Sequence, residues 1–168
     1  VIWERLPSTQ PSGRPVTVVD AAHASVLDQL LAWAAMTPLV LGAVAAWLTA
    51  GDIQSAAMSL VIIWGGAVLA FLAGVGRGLS FRTPGGASWS QIAMMLWTFT
   101  LAVGSMIALR PLTSLALLIV GFTSIGLSAR ILAAREQTPP FFASLRPGQM
   151  TVAVLSLCAV AARLLAPS

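Results

Sequence analysis

The sequence predicts an all-α fold: an integral membrane bundle of five transmembrane helices, N-terminus cytoplasmic and C-terminus periplasmic. Two observations predict the fold, and the placement of arginine predicts its orientation. Five apolar stretches, roughly Asp28–Ala50, Ile53–Gly76, Trp89–Leu109, Leu112–Ala129 and Gly148–Ala166, fill most of the 168 residues. A hydrocarbon core of about 30 Å needs about 20 mostly apolar residues of helix, and each stretch comes close to that. Hydrophobic residues form 58% of the chain and charged residues only 8%, with a mean hydropathy of +0.91. Soluble domains carry about 25% charged residues, so this inventory is too poor in charge to cover a water-facing surface.

Taken in order, residues 1–20 read as an extended cytoplasmic tail, rich in Pro, Ser and Gly, and residues 21–168 as one five-helix membrane domain. Residues 1–25 have neither the basic start nor the apolar run of a cleaved signal peptide. Asp20 is an N-cap candidate for a helical lead-in, Ala21–Leu27, that runs into the first span. Thr37-Pro38 lies inside that span, and a proline there removes a backbone hydrogen bond, so a kink is expected near Ala34–Pro38. Thr37 or a neighbouring helix is expected to re-satisfy the freed carbonyl. Gly51-Asp52 predicts a tight turn, with Gly51 closing one helix and Asp52 capping the next.

Arg77–Ala87 reads as a loop broken by Pro84-Gly85-Gly86. Ser88 followed by Gln91 has the capping-box form and opens the third span. Arg110-Pro111 separates spans three and four, with Pro111 at the first helical position, where its missing N–H costs nothing. Arg130–Pro147 reads as the longest connector, its Phe141-Phe142 pair resting at the interface.

All nine basic residues are arginine, and they stand singly near span ends. Arg5, Arg14, Arg77, Arg82, Arg130, Arg135 and Arg146 fall on the side of the tail, against Arg110 and Arg163 on the other. The positive-inside rule then places the tail and the two longer loops in the cytoplasm and the C-terminus outside. A net charge of +4 without a basic patch or interleaved aromatics argues against nucleic acid as a partner.

Chemistry-bearing residues are scarce. No Asp, Glu, Lys or His occupies the middle third of any span, which argues against a coupled transporter. Central polar groups are hydroxyls, Ser59, Thr98, Thr100, Thr123, Ser124 and Ser156, suited to bonding back onto their own helices. His23 is the only histidine and Cys158 the only cysteine, so a bis-His haem or a zinc cluster built within the chain is excluded by count. No hydrolase, metalloprotease, P-loop or C-x-x-C motif occurs. No catalytic residue, metal ligand or intrinsic cofactor is therefore assigned, and the chain is read as not an enzyme.

Two constellations remain. Gly66, Ala70, Gly74 and Gly78 recur every four residues on the second span, forming a helix-contact stripe with almost no side chain. Such a stripe receives either a helix of the same chain or one from another transmembrane subunit. Trp64, Phe71, Trp97 and Phe99 sit at mid-membrane depth. They either pack as core aromatics or line a groove for a bound lipid, quinone or pigment. Arg77, Arg82 and Arg146 are the candidates for lipid headgroup contact.

The run Trp64-Gly65-Gly66-Ala67-Val68-Leu69-Ala70-Phe71-Leu72-Ala73-Gly74-Val75-Gly76-Arg77-Gly78 resembles the aromatic-G-A-x-x-L-S-F-L-G-G-x-x-W-G signature of the transmembrane protein 69-like family, domain of unknown function 3429. Met36-Thr37-Pro38 stands where that family has a first-span proline. Pro140-Phe141-Phe142-Ala143-Ser144-Leu145-Arg146 resembles its P-x-W-Y-x-x-L-R segment. Ala73, Arg77, Phe141-Phe142 and Ala129-Arg130 depart from the pattern, so the chain resembles a divergent member. The resemblance implies five helices and an inner-membrane home, and no established activity. The reading that follows is a non-catalytic accessory or assembly subunit, packed against a larger respiratory or photosynthetic membrane complex and in contact with membrane lipids. The alternative is a small lipid- or quinone-handling membrane enzyme or carrier.

Overall fold

A computed structural model describes residue 30 and residues 33–80, 88–134 and 140–166. The tail, the 21–29 lead-in with His23, and Arg82 lie outside the described residues. Five α-helices follow one another: α1 (Thr37–Leu48), α2 (Gly51–Ser80), α3 (Trp89–Ile107), α4 (Pro111–Ala134) and α5 (Pro140–Leu165).

Four of the five helices are long and apolar enough to cross a membrane, not all five. The exception is α1, whose 12 residues span about 18 Å. Leu30 and Trp33-Ala34 are helical, Ala35-Met36 form a turn, and α1 begins at Thr37. Pro38 is the cause, since it has no N–H to continue the ladder. Around the break Met36 N donates to Trp33 O (2.9 Å) and Leu39 N to Met36 O (3.1 Å), three-residue spacings that tighten the backbone. The bend falls where the proline predicts it, and it divides the first span.

Helix ends follow local chemistry. Gly51 adopts φ +62°, a left-handed conformation that an L side chain resists, and this reverses the chain in a few residues. Gln54 Nε2 donates to Ala46 O (2.8 Å), tying the first turn of α2 to the last turn of α1. The helix already starts at Gly51, so Asp52 sits within its first turn instead of capping it. At Ser88 the capping box forms as predicted: Gln91 N donates to Ser88 Oγ (3.4 Å) and Ser88 N to Gln91 Oε1 (3.1 Å). Pro111 occupies the first position of α4.

Three helices overrun their apolar stretches, α4 by continuing past Ala129 to Ala134, into the expected connector. The α2 helix continues through Arg77 to Ser80, so the expected loop beginning at Arg77 is shorter. At 30 residues it spans about 45 Å, more than the hydrocarbon core requires. The α5 helix starts at Pro140 and carries Pro147 inside it, where a connector was expected. Helical hydrogen bonding does not stop where hydropathy drops, which is why apolar boundaries undershoot these ends.

Neighbouring helices pack in a closed ring, α1 against α2, α2 against α3, onward to α5 and back to α1. The α2 helix also touches α4 and α5, so it contacts every other helix. Phe122 is the largest fully buried side chain, and Leu39, Val61, Leu69, Leu115, Leu118, Leu157 and Val160 are fully buried with it. Only 22% to 39% of each of the four span windows is buried inside the protein. The remaining apolar surface, including Leu41, Ile63, Phe71, Leu96, Leu127 and Leu155, faces outward. Helices apolar on both faces need an apolar solvent around the bundle, and this is a multi-pass membrane protein by helix length and hydropathy.

Candidate functional site

Side-chain hydrogen bonds from two helices converge on the α1 break. Shifting the hydrogen bond of Leu39 N onto Met36 O leaves Ala35 O without its helical donor, and Trp64 Nε1 of α2 supplies one at 2.9 Å. Thr37 Oγ1 donates to Trp33 O at 3.3 Å. The neighbouring helix thus re-satisfies the freed carbonyl, while the Thr37 hydroxyl adds a second donor to Trp33 O, which already accepts from Met36 N. An unpaired carbonyl in lipid costs several kcal/mol, so these contacts are what make a bend tolerable at that depth.

Beside the break lies an open groove of about 240 Å³, lined by Trp33, Met36, Thr37, Val40 and Leu41 and by Val152 of α5. A Cβ on Gly148 would lie 3.9 Å from Trp33 Cη2. At the far end of the same pair Trp47 Nε1 donates to Ala159 O (3.0 Å), and the Arg163 guanidinium stands 6.0 Å from the Trp47 ring centroid. That is within cation–π range. Residues 33 and 47 thus meet 148 and 159 in the same order, so α1 and α5 run parallel.

The four candidate aromatics do not all turn toward one place. Trp64 reaches α1, whereas Trp97 Nε1 donates to Ser124 Oγ of α4 (3.3 Å). Phe71 is 70% exposed, and Phe99 is exposed as well. The stripe is divided. A Cβ on Gly66 would lie 2.8 Å from Met106 Cε and 3.2 Å from Ser105 Oγ, so α3 fills that part, and Ala70 packs against the core. Gly74 and Gly78 are exposed, and a Cβ on either meets nothing within 4 Å. Among the described glycines the tightest surroundings lie elsewhere, at Gly42, where a Cβ would run into the Val61 side chain, and at Gly121, where it would run into that of Leu69.

Arg77 is half-buried in the last turns of α2, and Arg146 lies within α5. Among the described residues, no group of three or more His, Cys, Asp or Glu is placed to hold a metal ion. Four of the six mid-span hydroxyls bond to their own helices: Ser59 Oγ to Ser55 O (2.9 Å), Thr98 Oγ1 to Met94 O (2.9 Å), Ser124 Oγ to Val120 O (2.7 Å) and Ser156 Oγ to Val152 O (2.9 Å).

Gln149 escaped sequence reasoning. Its side chain keeps only 7% exposure, and Nε2 is buried without a hydrogen-bond partner. The available signal was an amide two residues inside the last span, a position where apolar side chains are the rule. No family model matches the chain, and neither a curated protein nor a solved structure matches it.

Proposed function

We propose that the chain is a non-catalytic accessory or assembly subunit that packs against a larger inner-membrane complex, respiratory or photosynthetic. The observation that carries this reading is the bare end of α2, where Gly74 and Gly78 are exposed and a Cβ on either would meet nothing. Glycine inside a helix costs about 1 kcal/mol relative to alanine, and close approach of another backbone is the usual return for that cost in lipid. The other end of the same stripe already receives α3 at Gly66. A helix from a larger complex would extend the contact along α2. Orientation with the arginine-rich side in the cytoplasm, and divergent membership of the transmembrane protein 69-like family, belong to the same proposal.

Native gel electrophoresis after mild detergent extraction tests it. The chain is expected in a high-mass species, and the double variant Gly74→Leu/Gly78→Leu is expected to leave that species while keeping its own fold. Migration of the wild type as an isolated monomer under every mild condition would refute the subunit role.

The lipid- or quinone-handling alternative draws support from the groove at Trp33–Leu41. It would need substrate turnover, or transfer between membranes, by the purified chain.

A further inference from the structure

We propose that Trp47 and Arg163 form a binding site for the phosphate of one membrane phospholipid, where α1 and α5 meet near the C-terminal end of α5. Three observations carry this independently of the subunit role. First, the guanidinium is held in place. Trp47 Nε1 donates to Ala159 O (3.0 Å), which sets the indole against α5. Arg163 follows four residues later on the same face of that helix, with its guanidinium over the indole, 6.0 Å from the ring centroid. Stacking on a ring occupies the flat face of a guanidinium and leaves its N–H edge to meet a planar or tetrahedral oxyanion.

Second, those donors have no acceptor in the described protein. Among the described residues no carboxylate or carbonyl accepts from Arg163, and Asp52, the one carboxylate side chain among them, makes no ion pair with it. Arginine stays charged and brings five N–H donors, a fork that phosphate fits with two parallel bonds.

Third, depth and surroundings select a lipid. The membrane-crossing part of α5 is Pro147–Leu165, so Arg163 lies two residues, about 3 Å, inside its end. Trp47 lies one residue before the end of α1. This is the boundary where hydrocarbon gives way to headgroups and where indole rings gather. Both side chains are open to that layer, Trp47 exposed and Arg163 half-buried. Nearer the membrane centre, Val44 stands three residues before Trp47 and Leu155 four before Ala159, and both are exposed. They give acyl chains an apolar surface directly below the phosphate, a surface that a free phosphate ion would not use.

The test is photo-crosslinking of the full chain in detergent micelles, with phosphatidylglycerol carrying a diazirine in one acyl chain near its ester. Cross-links are expected on Val44, Trp47 and Leu155. Unlabelled phosphatidylglycerol should suppress them at a concentration roughly ten- to a hundredfold lower than monogalactosyl diacylglycerol with the same chains, the worth of hydrogen bonding between charged groups. Arg163→Gln should abolish that difference, and Arg163→Lys, which keeps the charge without the fork, should retain part of it. Equal competition by the two lipids on the wild-type chain would overturn the proposal, and this arm does not depend on how a variant folds. A difference that survives Arg163→Gln would overturn it by placing the phosphate elsewhere. Inorganic phosphate that suppresses the cross-links as well as phosphatidylglycerol does would overturn it too, by making the occupant the free ion.

Discussion

Tryptophan donors join the helices of this protein at the level of single residues. Trp47, Trp64 and Trp97 each place an indole N–H on an acceptor outside their own helix, Ala159 O, Ala35 O in the turn before α1, and Ser124 Oγ. In lipid an unpaired indole N–H has no water to turn to, and the ring still presents a large apolar face outward. The same scale separates the glycines that matter for packing from those that do not. Leu69 is fully buried, so a side chain at Gly121 would strike a neighbour with nowhere to move. Gly121→Val is expected to lower stability by about 1–3 kcal/mol through overpacking. Gly74→Ala is expected to be neutral or to stabilise by up to about 1 kcal/mol, since only helix propensity changes. Thermal unfolding in detergent compares the two; equal losses would mean that α2 and α4 are not held as closely as Gly121 implies.

Among the elements, α1 is the one whose form depends on a single residue. Pro38 breaks the ladder, Trp64 takes up the freed carbonyl of Ala35, Thr37 adds a second bond to Trp33 O, and the groove opens beside the bend. Pro38→Ala restores an N–H, so residue 38 should gain a protected amide in hydrogen exchange as the two helical pieces join. Trp64 should lose its acceptor in the same variant, and its fluorescence should shift accordingly. A rapidly exchanging amide at position 38 would show instead that packing against α2 and α5 imposes the bend. Hydropathy located the centres of the helices well and their ends poorly. Arg77, Arg146 and Pro147 read as loop residues because they are polar or break helices, yet α2 and α5 continue through them.

For the whole molecule, closure between α1 and α5 sets the shape. An odd number of alternating helices makes the first and last run parallel, and Trp47, with Arg163 over its ring, fastens that pair near its far end. The α2 helix, in contact with every other helix, is the centre of the packing. An α2 that crosses the membrane places its two ends on opposite sides. With Cys158 replaced by serine, cysteines introduced at Asp52 and Ser88 should label from opposite faces, Ser88 from the cytoplasmic one. Labelling of both from one face would refute the crossing of α2, and Ser88 labelling from the outside would reverse the orientation inferred from arginine placement.

The sequence by itself determined the solvent, the helical class, the positions of four spans, the Ser88 capping box, the turn at Gly51 and the bend before Pro38. Each of these depends on hydropathy summed over about 20 residues or on chemistry within four residues of the position concerned. Tertiary structure alone decided which carbonyl Trp64 satisfies, that Gly66 meets α3 while Gly74 meets no described residue, and that Gln149 is buried without a partner. It also decided that Gly42 and Gly121 are the described glycines with least room for a side chain. Those facts depend on the rotation of each helix about its axis and on which helices become neighbours. When a helix is apolar all round, its periodicity carries almost no information about either, because every face is equally acceptable to lipid.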